Sequence, residues 1–242
     1  MPAPTPKPAS PADALAPAAP VICTVDIVLL TLVDAELQVA LLQRDREPFQ
    51  GALALPGGYI HPQEDDSAWD AAARVLRDKA GLPNPYLEQL ATFSGPGRDP
   101  RGWSLSVAYC ALVPAAELAA PTAGPLVLRP VARLPSLPFD HRAIIDTAVA
   151  RVRTKSQYSS LPVYLCGQVF TLPQLQAVYE AVLGEPVNKV SFRRKMDELA
   201  MLEPVEGAMT TGGAHRPAQL WRLRKPFERR LSLSERGLGV GG

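Results

Sequence analysis

The sequence predicts an α+β protein with a mixed strand-and-helix domain over residues 21–150 and a smaller, mainly helical domain over residues 151–226. Apolar β-branched runs alternate with helical periodicity in the first part, whereas two short amphipathic helices precede a pair of strands in the second. Charge divides the chain as well, because residues 1–150 carry 11 Lys and Arg against 16 Asp and Glu, and residues 151–242 carry 14 against 8. The basic final third indicates a polyanionic partner for that part.

Five apolar segments of the first domain are predicted to be strands. Val25–Leu32 and Leu37–Gln43 are rich in Val and Leu and have a short connection, which is typical of two neighbouring strands. Phe49–Ile60 is predicted to be a strand that runs into a Pro-Gly-Gly turn. Leu87–Phe93 and Leu105–Val113 complete the set.

Two helices are predicted among these strands. The first begins at the N-capping cluster of residues 65–67 and ends at Gly81. Its expected apolar face has the spacing i, i+3, i+4, i+7 and consists of Trp69, Ala72, Ala73 and Leu76. The second helix covers Phe139–Val152 and places Ile144, Ile145, Ala148 and Val152 on one side.

The second domain has the element order of a winged helix-turn-helix. Thr171 opens a helix through a capping box with Gln174, and Gly184 ends it. Asn188 caps a second helix, whose apolar face holds Phe192, Met196 and Leu199. Two strands, at residues 202–205 and 219–224, then flank a Gly-rich basic segment, which predicts the wing.

Basic residues concentrate on the second helix and on the wing. A recognition helix in the major groove and a wing on the backbone use such groups for phosphate and base-edge contacts. A basic helix face that is merely solvated is the alternative, but the element order and the charge balance favour binding of double-stranded DNA. The predicted DNA contacts are Lys189, Ser191, Arg193, Arg194, Lys195, His215 and Arg216.

In the first domain, Leu55-Pro56-Gly57-Gly58 is followed by Glu64 and by a helix whose final segment is Arg74 to Gly81-Leu82. This segment resembles the Nudix box, G-x5-E-x7-R-E-U-x-E-E-x-G-U with U apolar. The resemblance implies an α/β/α sandwich with a mixed sheet, and in an active member Mg²⁺ held by carboxylates on one helix face.

The box departs from that pattern where a metal would bind. The spacing between Glu64 and Arg74 is nine residues instead of seven, and the three helical Glu positions hold Val75, Asp78 and Lys79. A strict spacing of seven instead places Ala72, Ala73, Leu76 and Arg77 on the arginine and carboxylate positions. We therefore expect no catalytic residue, no metal and no required cofactor, with Glu64 and Asp78 as vestigial members of a solvated face.

Other residues of this domain are typical of a site that binds a nucleotide. Arg44, Arg98 and Arg101 are predicted to contact a pyrophosphate or ribose, since guanidinium groups bind phosphate bidentately. Gly57 and Gly58 would allow close approach of the ligand to the backbone, and Phe93 or Trp103 would stack on a base. Surface ion pairs for the arginines and core packing for the aromatic residues are the alternatives.

Together the two halves resemble the Nudix-related transcriptional regulators, the NrtR family of bacterial repressors of NAD metabolism. The most specific segments are Arg98–Gly102, Phe139–His141, Asn188–Lys195 and Arg216–Trp221. The resemblance implies ADP-ribose or a related nucleotide as effector, a homodimer and a palindromic operator. It also assigns Arg44, Arg98 and Arg101 to the effector, and it assigns Lys189, Arg193, Arg194, His215 and Arg216 to DNA.

Two other functions remain open. The retained Gly58, Glu64 and Gly81-Leu82 frame fits a Mg²⁺-dependent diphosphohydrolase with an accessory domain, such as an ADP-ribose pyrophosphatase. An RNA-linked or protein-binding module on an inactive scaffold is a third possibility. If the chain is a regulator, the segment Ala143–Leu161 is expected to transmit the effector signal.

Segments outside the domains bear on cellular location. Residues 1–20 hold seven Pro and seven Ala and are predicted to be a disordered tail, and residues 227–242 are predicted to be a C-terminal tail. The chain shows neither a secretory signal nor an apolar run of the ~20 residues that a membrane span needs. Three scattered cysteines, Cys23, Cys110 and Cys166, indicate a reducing cytoplasm, and the family resemblance implies that it is a bacterial one.

Overall fold

The computed structural model of the chain describes residues 20–82, 85–118, 126–209, 217–234 and 237–238. The tail predicted at residues 1–20 therefore lies, apart from Pro20, outside the described residues. No helix in these ranges is both long and apolar enough to cross a membrane.

A mixed sheet of seven strands forms the centre of the first domain. The strands are β1 (Ile22–Val33), β2 (Glu36–Gln43), β3 (Leu53–Ala54), β4 (Gly57–Tyr59), β5 (Tyr86–Gly95), β6 (Ser104–Leu112) and β7 (Val127–Pro130). Their order is β3-β2-β1-β6-β5, with β4 also paired to β1 and β7 to β2. The central pair β1 and β6 is parallel and the other described pairs are antiparallel, so the predicted mixed sheet is confirmed.

Helices cover both faces of this sheet. They are α1 (Ala68–Ala80), the short α2 (Ala115–Leu118) and α3 (His141–Ser156). The buried side of α1, with Ala72, Val75 and Leu76, shares a core with Ile27 and Leu29 of β1. On the opposite face, α3 packs Ile144, Ile145, Ala148 and Val152 against a second core. These layers confirm the α/β/α sandwich.

The predicted caps of α1 are present, but its buried face is rotated from the prediction. The Ser67 side chain accepts a hydrogen bond from Asp70 N, and Gly81 adopts a left-handed conformation with φ 66°. Trp69 is 52% exposed, so its assignment to the apolar face was wrong. Because five of the thirteen helix residues are alanine, the spacing of apolar residues alone does not determine which face of α1 is buried.

The predicted strand Phe49–Ile60 is divided into a loop and two short strands. Arg44 N donates to Ala52 O and Gly51 N donates to Arg44 O, which closes the loop before β3. β3 then pairs with β2, whereas β4 pairs with β1, so the chain crosses the sheet between them at Pro56. This crossing brings Gly57 and Gly58 beside α1.

The second domain contains the predicted helix-turn-helix and ribbon. Its elements are α4 (Leu172–Leu183), α5 (Lys189–Leu199), β8 (Leu202–Met209) and β9 (Gln219–Leu223). The capping box of Thr171 and Gln174 is formed, and the Asn188 side chain accepts from Val190 N and Ser191 N. Tyr179 of α4 and Phe192 of α5 meet edge to face, with ring centroids 5.5 Å apart, in the core of this domain.

The two domains share apolar packing. Leu161, Leu165 and Val182 lie in the same core cluster as the buried face of α3. Tyr86 of β5 stacks on Tyr164, with ring centroids 4.4 Å apart. The connection between the domains is therefore a packed contact.

The predicted C-terminal tail is partly folded onto the second domain. Ser160 N donates to Ser232 O at 2.9 Å, and the Ser232 hydroxyl donates to Leu199 O at 2.6 Å. Leu238 is 6% exposed, and its N–H donates to Gln157 O at 2.8 Å. The prediction of a tail at 227–242 is corrected for these residues, because their polar backbone and one apolar side chain complete the domain.

Candidate functional site

A cavity of about 540 Å³ lies between the end of β2, the strand β4, the C-terminal half of α1 and the start of α3. Its described lining carries six cations and four carboxylates, together with the backbone of Gly57 and Gly58. The cations are Arg44, Arg46, Arg74, Lys79, Arg98 and Arg101, and the carboxylates are Asp26, Asp45, Asp78 and Asp99. A cavity of this size with an excess of positive charge suits a small anionic ligand.

Arg98, in the loop after β5, is held on the cavity wall by a bidentate ion pair. Its Nε and Nη2 donate to the two carboxylate oxygens of Asp140 at 3.0 and 2.9 Å, and Nη1 donates to the Ser104 hydroxyl at 3.2 Å. The Arg98 side chain is only 8% exposed. Asp140 immediately precedes α3, so this pair ties the cavity to the start of that helix.

Arg101 is fixed on the same loop by Asp99. Its Nε and Nη2 donate to Asp99 at 2.9 and 2.6 Å, and Nη1 donates to the Tyr59 hydroxyl, above whose ring the guanidinium lies at 5.5 Å. The hydrogen bonds from Arg101 hold the pKa of Asp99 below its usual range. Both groups therefore stay charged at neutral pH.

Arg44 follows β2 and has a different environment. Its Nε donates to Pro48 O at 2.8 Å, and its guanidinium lies 4.9 Å from the centroid of the Phe139 ring. No described carboxylate forms an ion pair with it. Arg44 therefore contributes to the cavity lining a positive charge that no described carboxylate pairs with.

A buried polar network lies behind these cations. Asp26 of β1 accepts from the Ser106 hydroxyl at 2.6 Å and lies 3.5 Å from Arg98 Nη2. His141 Nδ1 accepts from Leu55 N at 3.0 Å, and burial lowers the pKa of His141, so the imidazole is neutral at pH 7. A β-carbon at residue 57 would collide with the Asp26 carboxylate, which explains Gly57.

The α1 side of the cavity holds the residues compared above with the Nudix box. Val75 is 1% exposed and packs into the core, with its Cγ2 3.2 Å from the position that a β-carbon of Gly58 would take. Asp78 accepts from Arg77 Nε at 3.0 Å. Lys79 points toward β4, where its Nζ donates to Gly57 O at 2.6 Å.

Two further acids of that segment, Glu64 and Asp65, contact cations. Arg74 Nη2 and Nε donate to Asp65 at 2.7 and 2.8 Å, and these hydrogen bonds lower the pKa of Asp65 to about 2. Glu64 contacts His61 Nδ1 at 3.3 Å and Arg74 Nε at 3.8 Å. Within the described ranges, no group of three or more His, Cys, Asp or Glu side chains is placed to hold a metal ion.

The aromatic residues at the cavity differ from those predicted. Phe93 is partly buried against the core that α3 shares and is not part of the described lining, so its role in base stacking stays a prediction. Phe139 lines the cavity instead and meets Phe49 edge to face, with ring centroids 5.0 Å apart. Alternation along β5 gave no indication of which face of the sheet Phe93 occupies. The signal that could have identified Phe139 is its position in Phe139–His141, one of the segments that carry the family resemblance.

On the second domain, α5 presents a basic outer face. Lys189, Arg193 and Arg194 are exposed, Ser191 is half-buried and Val190 is 75% exposed. None of the three cations forms an ion pair with a described residue. Val187, in the turn before α5, donates its N–H to Glu180 Oε1 of α4 at 3.0 Å, which fixes the orientation of the two helices.

Lys195 lies on the opposite side of α5. It is 4% exposed, and its Nζ donates to Gln157 O at 2.5 Å and to the Ser234 hydroxyl at 3.4 Å. Burial lowers the pKa of Lys195 to about 8. The prediction of Lys195 as a DNA contact was therefore wrong, because its position next to Met196 turns it inward. His215 and Arg216, at the predicted wing tip, lie outside the described residues.

Two family models match the chain. One, the NrtR DNA-binding winged helix domain, covers residues 162–223, and the other, the NUDIX domain, covers residues 24–129. The chain is 36% identical over 206 residues to the ADPR responsive transcriptional repressor NtrR of Acinetobacter baylyi, which is 84% of this chain and 82% of the relative. It is also 32% identical over 115 residues to the ADP-ribose pyrophosphatase of Methanocaldococcus jannaschii, which is 47% of this chain and 67% of that enzyme.

Solved structures give the same picture for the whole chain. The crystal structure of Shewanella oneidensis NrtR complexed with a 27mer DNA is 37% identical and superposes with a TM-score of 0.80. That match covers 89% of this chain and 99% of the other. Both domains and their connection are thus shared with that structure.

Proposed function

The chain belongs to the family of Nudix-related transcriptional regulators, NrtR, and we propose that it is a DNA-binding repressor whose Nudix domain senses ADP-ribose or a related nucleotide. One observation carries the proposal: α3 connects a cation-lined cavity at one end with the inner side of a basic helix-turn-helix at the other. The relative from Acinetobacter is named as responsive to ADPR, and that name supports the choice of effector. Control of NAD metabolism genes in a bacterial cytoplasm follows from the family resemblance and is part of the proposal.

The outer face of α5 is the proposed DNA-reading surface. Lys189, Arg193 and Arg194 lie on it without described counterions, so they would gain phosphate contacts without first losing an ion pair. Ser191 would donate to a phosphate or a base edge. A homodimer would present two such helices to a palindromic operator, with half-sites separated by about one turn of the duplex.

The cavity is the proposed effector site. Arg44, Arg98 and Arg101 would face the phosphates and riboses of the ligand, and Gly57 and Gly58 would leave their backbone open to it. Phe139, already under the Arg44 guanidinium, would provide an apolar wall for a base or a ribose. These assignments are supported by the shared lining of one cavity.

Coupling between the sites would follow α3. Arg98 binds Asp140 at the N-terminal end of the helix, and Gln157 at its C-terminal end accepts from Lys195 of α5. An effector that competes with Asp140 for Arg98 would alter the position of α3, and with it that of α5. In thermodynamic terms the ligand favours one arrangement of the two DNA-binding helices over the other.

We propose further that the Nudix box of this chain has lost its metal site and that the protein acts without hydrolysis. Val75 offers no oxygen and is buried, and Lys79 places an ammonium group on Gly57 O. Mg²⁺ needs several oxygen ligands in near-octahedral geometry, and a neighbouring ammonium opposes its charge. The residues at these positions do not fit the metal, so we assign no catalytic step to it.

The proposal is tested by fluorescence anisotropy with a labelled duplex from the promoter region of the protein's own gene. We expect the logarithm of affinity to fall steeply with the logarithm of salt, by about 0.9 for each phosphate contacted. An unrelated duplex of equal length is the control for sequence preference. ADP-ribose should change the affinity for the promoter duplex. A flat salt response together with equal affinity for both duplexes would contradict the proposal.

A second candidate function is favoured by the match to the archaeal ADP-ribose pyrophosphatase. Gly58, Glu64 and Gly81-Leu82 of the Nudix box are also present in this chain. A direct assay of ADP-ribose hydrolysis tests this candidate. Pure protein with ADP-ribose and Mg²⁺ should release no AMP if the box is inactive. Release of AMP that is lost in Glu64→Gln would establish the hydrolase instead.

A further inference from the structure

The Lys79 ammonium is a cation of the cavity that no described carboxylate neutralises. Its Nζ donates one hydrogen bond, to Gly57 O at 2.6 Å, and forms no ion pair within the described residues. An ammonium group has three donors, so two remain available on the cavity side. Asp78, the neighbour of Lys79 in sequence, is instead bound to Arg77.

Most other cations of the lining already have partners. Four arginines form ion pairs, namely Arg46 with Asp45, Arg74 with Asp65, Arg98 with Asp140 and Arg101 with Asp99. Arg44 directs Nε and Nη2 to the carbonyl oxygens of Pro48 and Arg46. Lys79 and Arg44 are therefore the two cations of the lining that form no ion pair with a described carboxylate, and Lys79 keeps two of its three donors uncommitted.

The surroundings of Lys79 also lack the oxygen ligands that a divalent cation would need. Val75 lies one turn earlier on α1 and is buried. Glu64 contacts Arg74 and His61, and Asp65 is bound by Arg74. The positive charge at this end of the cavity is thus provided by the chain itself.

We propose that the Lys79 ammonium, anchored on Gly57 O, takes the place of a divalent cation and binds the diphosphate of the effector directly, so that binding needs no metal. This inference rests on the proposed function for the choice of ADP-ribose, but its chemistry applies to any diphosphate ligand. The charge-assisted contact would be made by the two donors that Gly57 leaves free.

The electrostatic state of Lys79 agrees with this role. Burial lowers the pKa of Lys79, and the guanidinium groups of Arg46 and Arg44 add to that shift, while Asp45 opposes it. A bound diphosphate would raise the pKa again, because it supplies the negative charge that the site lacks.

Isothermal titration calorimetry of the full chain tests the proposal with two probes, ADP-ribose and inorganic pyrophosphate, each in EDTA and in MgCl₂. The variants are Lys79→Met and the control Arg133→Met, which removes an exposed positive charge outside the described lining, where Arg133 pairs with Glu36. Loss of one charge-assisted contact is expected to weaken binding about 10- to 100-fold. Thermal unfolding of both variants verifies that they are folded.

The expected result is equal wild-type affinity in EDTA and in MgCl₂, a 10- to 100-fold loss in Lys79→Met and near wild-type affinity in Arg133→Met. Wild-type binding that requires MgCl₂, or equal affinity of wild type and Lys79→Met, overturns the proposal. If neither probe binds in EDTA, it is overturned as well. If pyrophosphate binds with the Lys79 dependence and ADP-ribose does not, the role of Lys79 stands and the proposed effector is wrong.

Discussion

In the cavity the guanidinium groups of Arg98 and Arg101 are each held by a carboxylate, whereas on α5 those of Arg193 and Arg194 extend into solvent without a described partner. A paired arginine is already ordered, so a ligand that meets it loses little conformational entropy. Unpaired exposed cations act over a longer range and are sensitive to salt. The same residue type is therefore ordered by a carboxylate in the cavity and exposed without a described partner on α5.

The largest effect is expected when one of the paired arginines of the cavity is removed. Arg98→Met leaves Asp140 and Asp26 without their buried counterion, which should lower the free energy of unfolding by about 3–5 kcal/mol. Urea denaturation measures the change. Arg133→Met is the matched control, because it removes an exposed ion pair with Glu36 and should cost less than about 1 kcal/mol. Similar losses for both variants would contradict the buried role of Arg98.

On α5, the double change Arg193→Ala and Arg194→Ala should reduce affinity for the promoter duplex about 100-fold and make the salt slope shallower by about two. Anisotropy titrations over a range of salt give both quantities. Arg142→Ala, which removes an exposed arginine from α3, serves as the control and should change neither. Unchanged binding of the double variant would exclude this face as the DNA-reading surface.

A smaller effect distinguishes two lysines of the same helix. Lys189→Met should make the salt slope shallower by about one and weaken binding about tenfold, because an exposed cation near a phosphate is lost. Lys195→Met should leave the slope unchanged, since the Lys195 ammonium is turned toward Gln157. A reduced slope in Lys195→Met would contradict its buried position.

The smallest effect is a pH dependence at the cavity. Burial lowers the pKa of His141 in the folded state, so the unfolded state binds more protons as the pH falls below about 6.5. The stability contributed by neutral His141 is therefore present above pH 6.5 and is lost on acidification. Asp26 and Asp140 oppose the shift, whereas Arg98 and Arg44 add to it.

The variant His141→Gln isolates this contribution, since its amide oxygen can still accept from Leu55 N. Any excess of the unfolding free energy of wild type over that of His141→Gln should become smaller as the pH falls from 7 to 5, because only wild type loses stability through protonation of this residue. A difference that is constant over this range would show that His141 does not titrate as its burial implies.

Local sequence signals predicted most of the fold. The caps Ser67 and Gly81 of α1, and Thr171 and Asn188 in the second domain, mark positions where backbone groups need a side-chain partner, so they are readable from sequence. The strand β7 was not predicted, because its four residues carry no distinct pattern. Its pairing with β2 depends on a contact distant in the chain.

The sites were predicted less completely, because several residues depend on long-range partners. In the sequence, Asp26 is an isolated charge in an apolar strand. Its partners Ser106 and Arg98 are distant in the chain and lie beside it only in the folded structure. Arg98, predicted to contact a phosphate or ribose, lines the cavity, but its partner Asp140 lies 42 residues away. Lys195 was misjudged for the same reason, since its acceptor Gln157 belongs to another helix.

The fold of Ser232 and Leu238 onto the second domain has a practical consequence. The winged-helix match ends at residue 223, yet these later residues cap the carbonyl of Leu199 and fill the core beside Met196. A protein shortened to the matched boundary would expose that apolar surface and leave Leu199 O and Gln157 O each with one hydrogen-bond donor fewer. A shortened protein used to study the second domain should therefore retain the residues through Leu238.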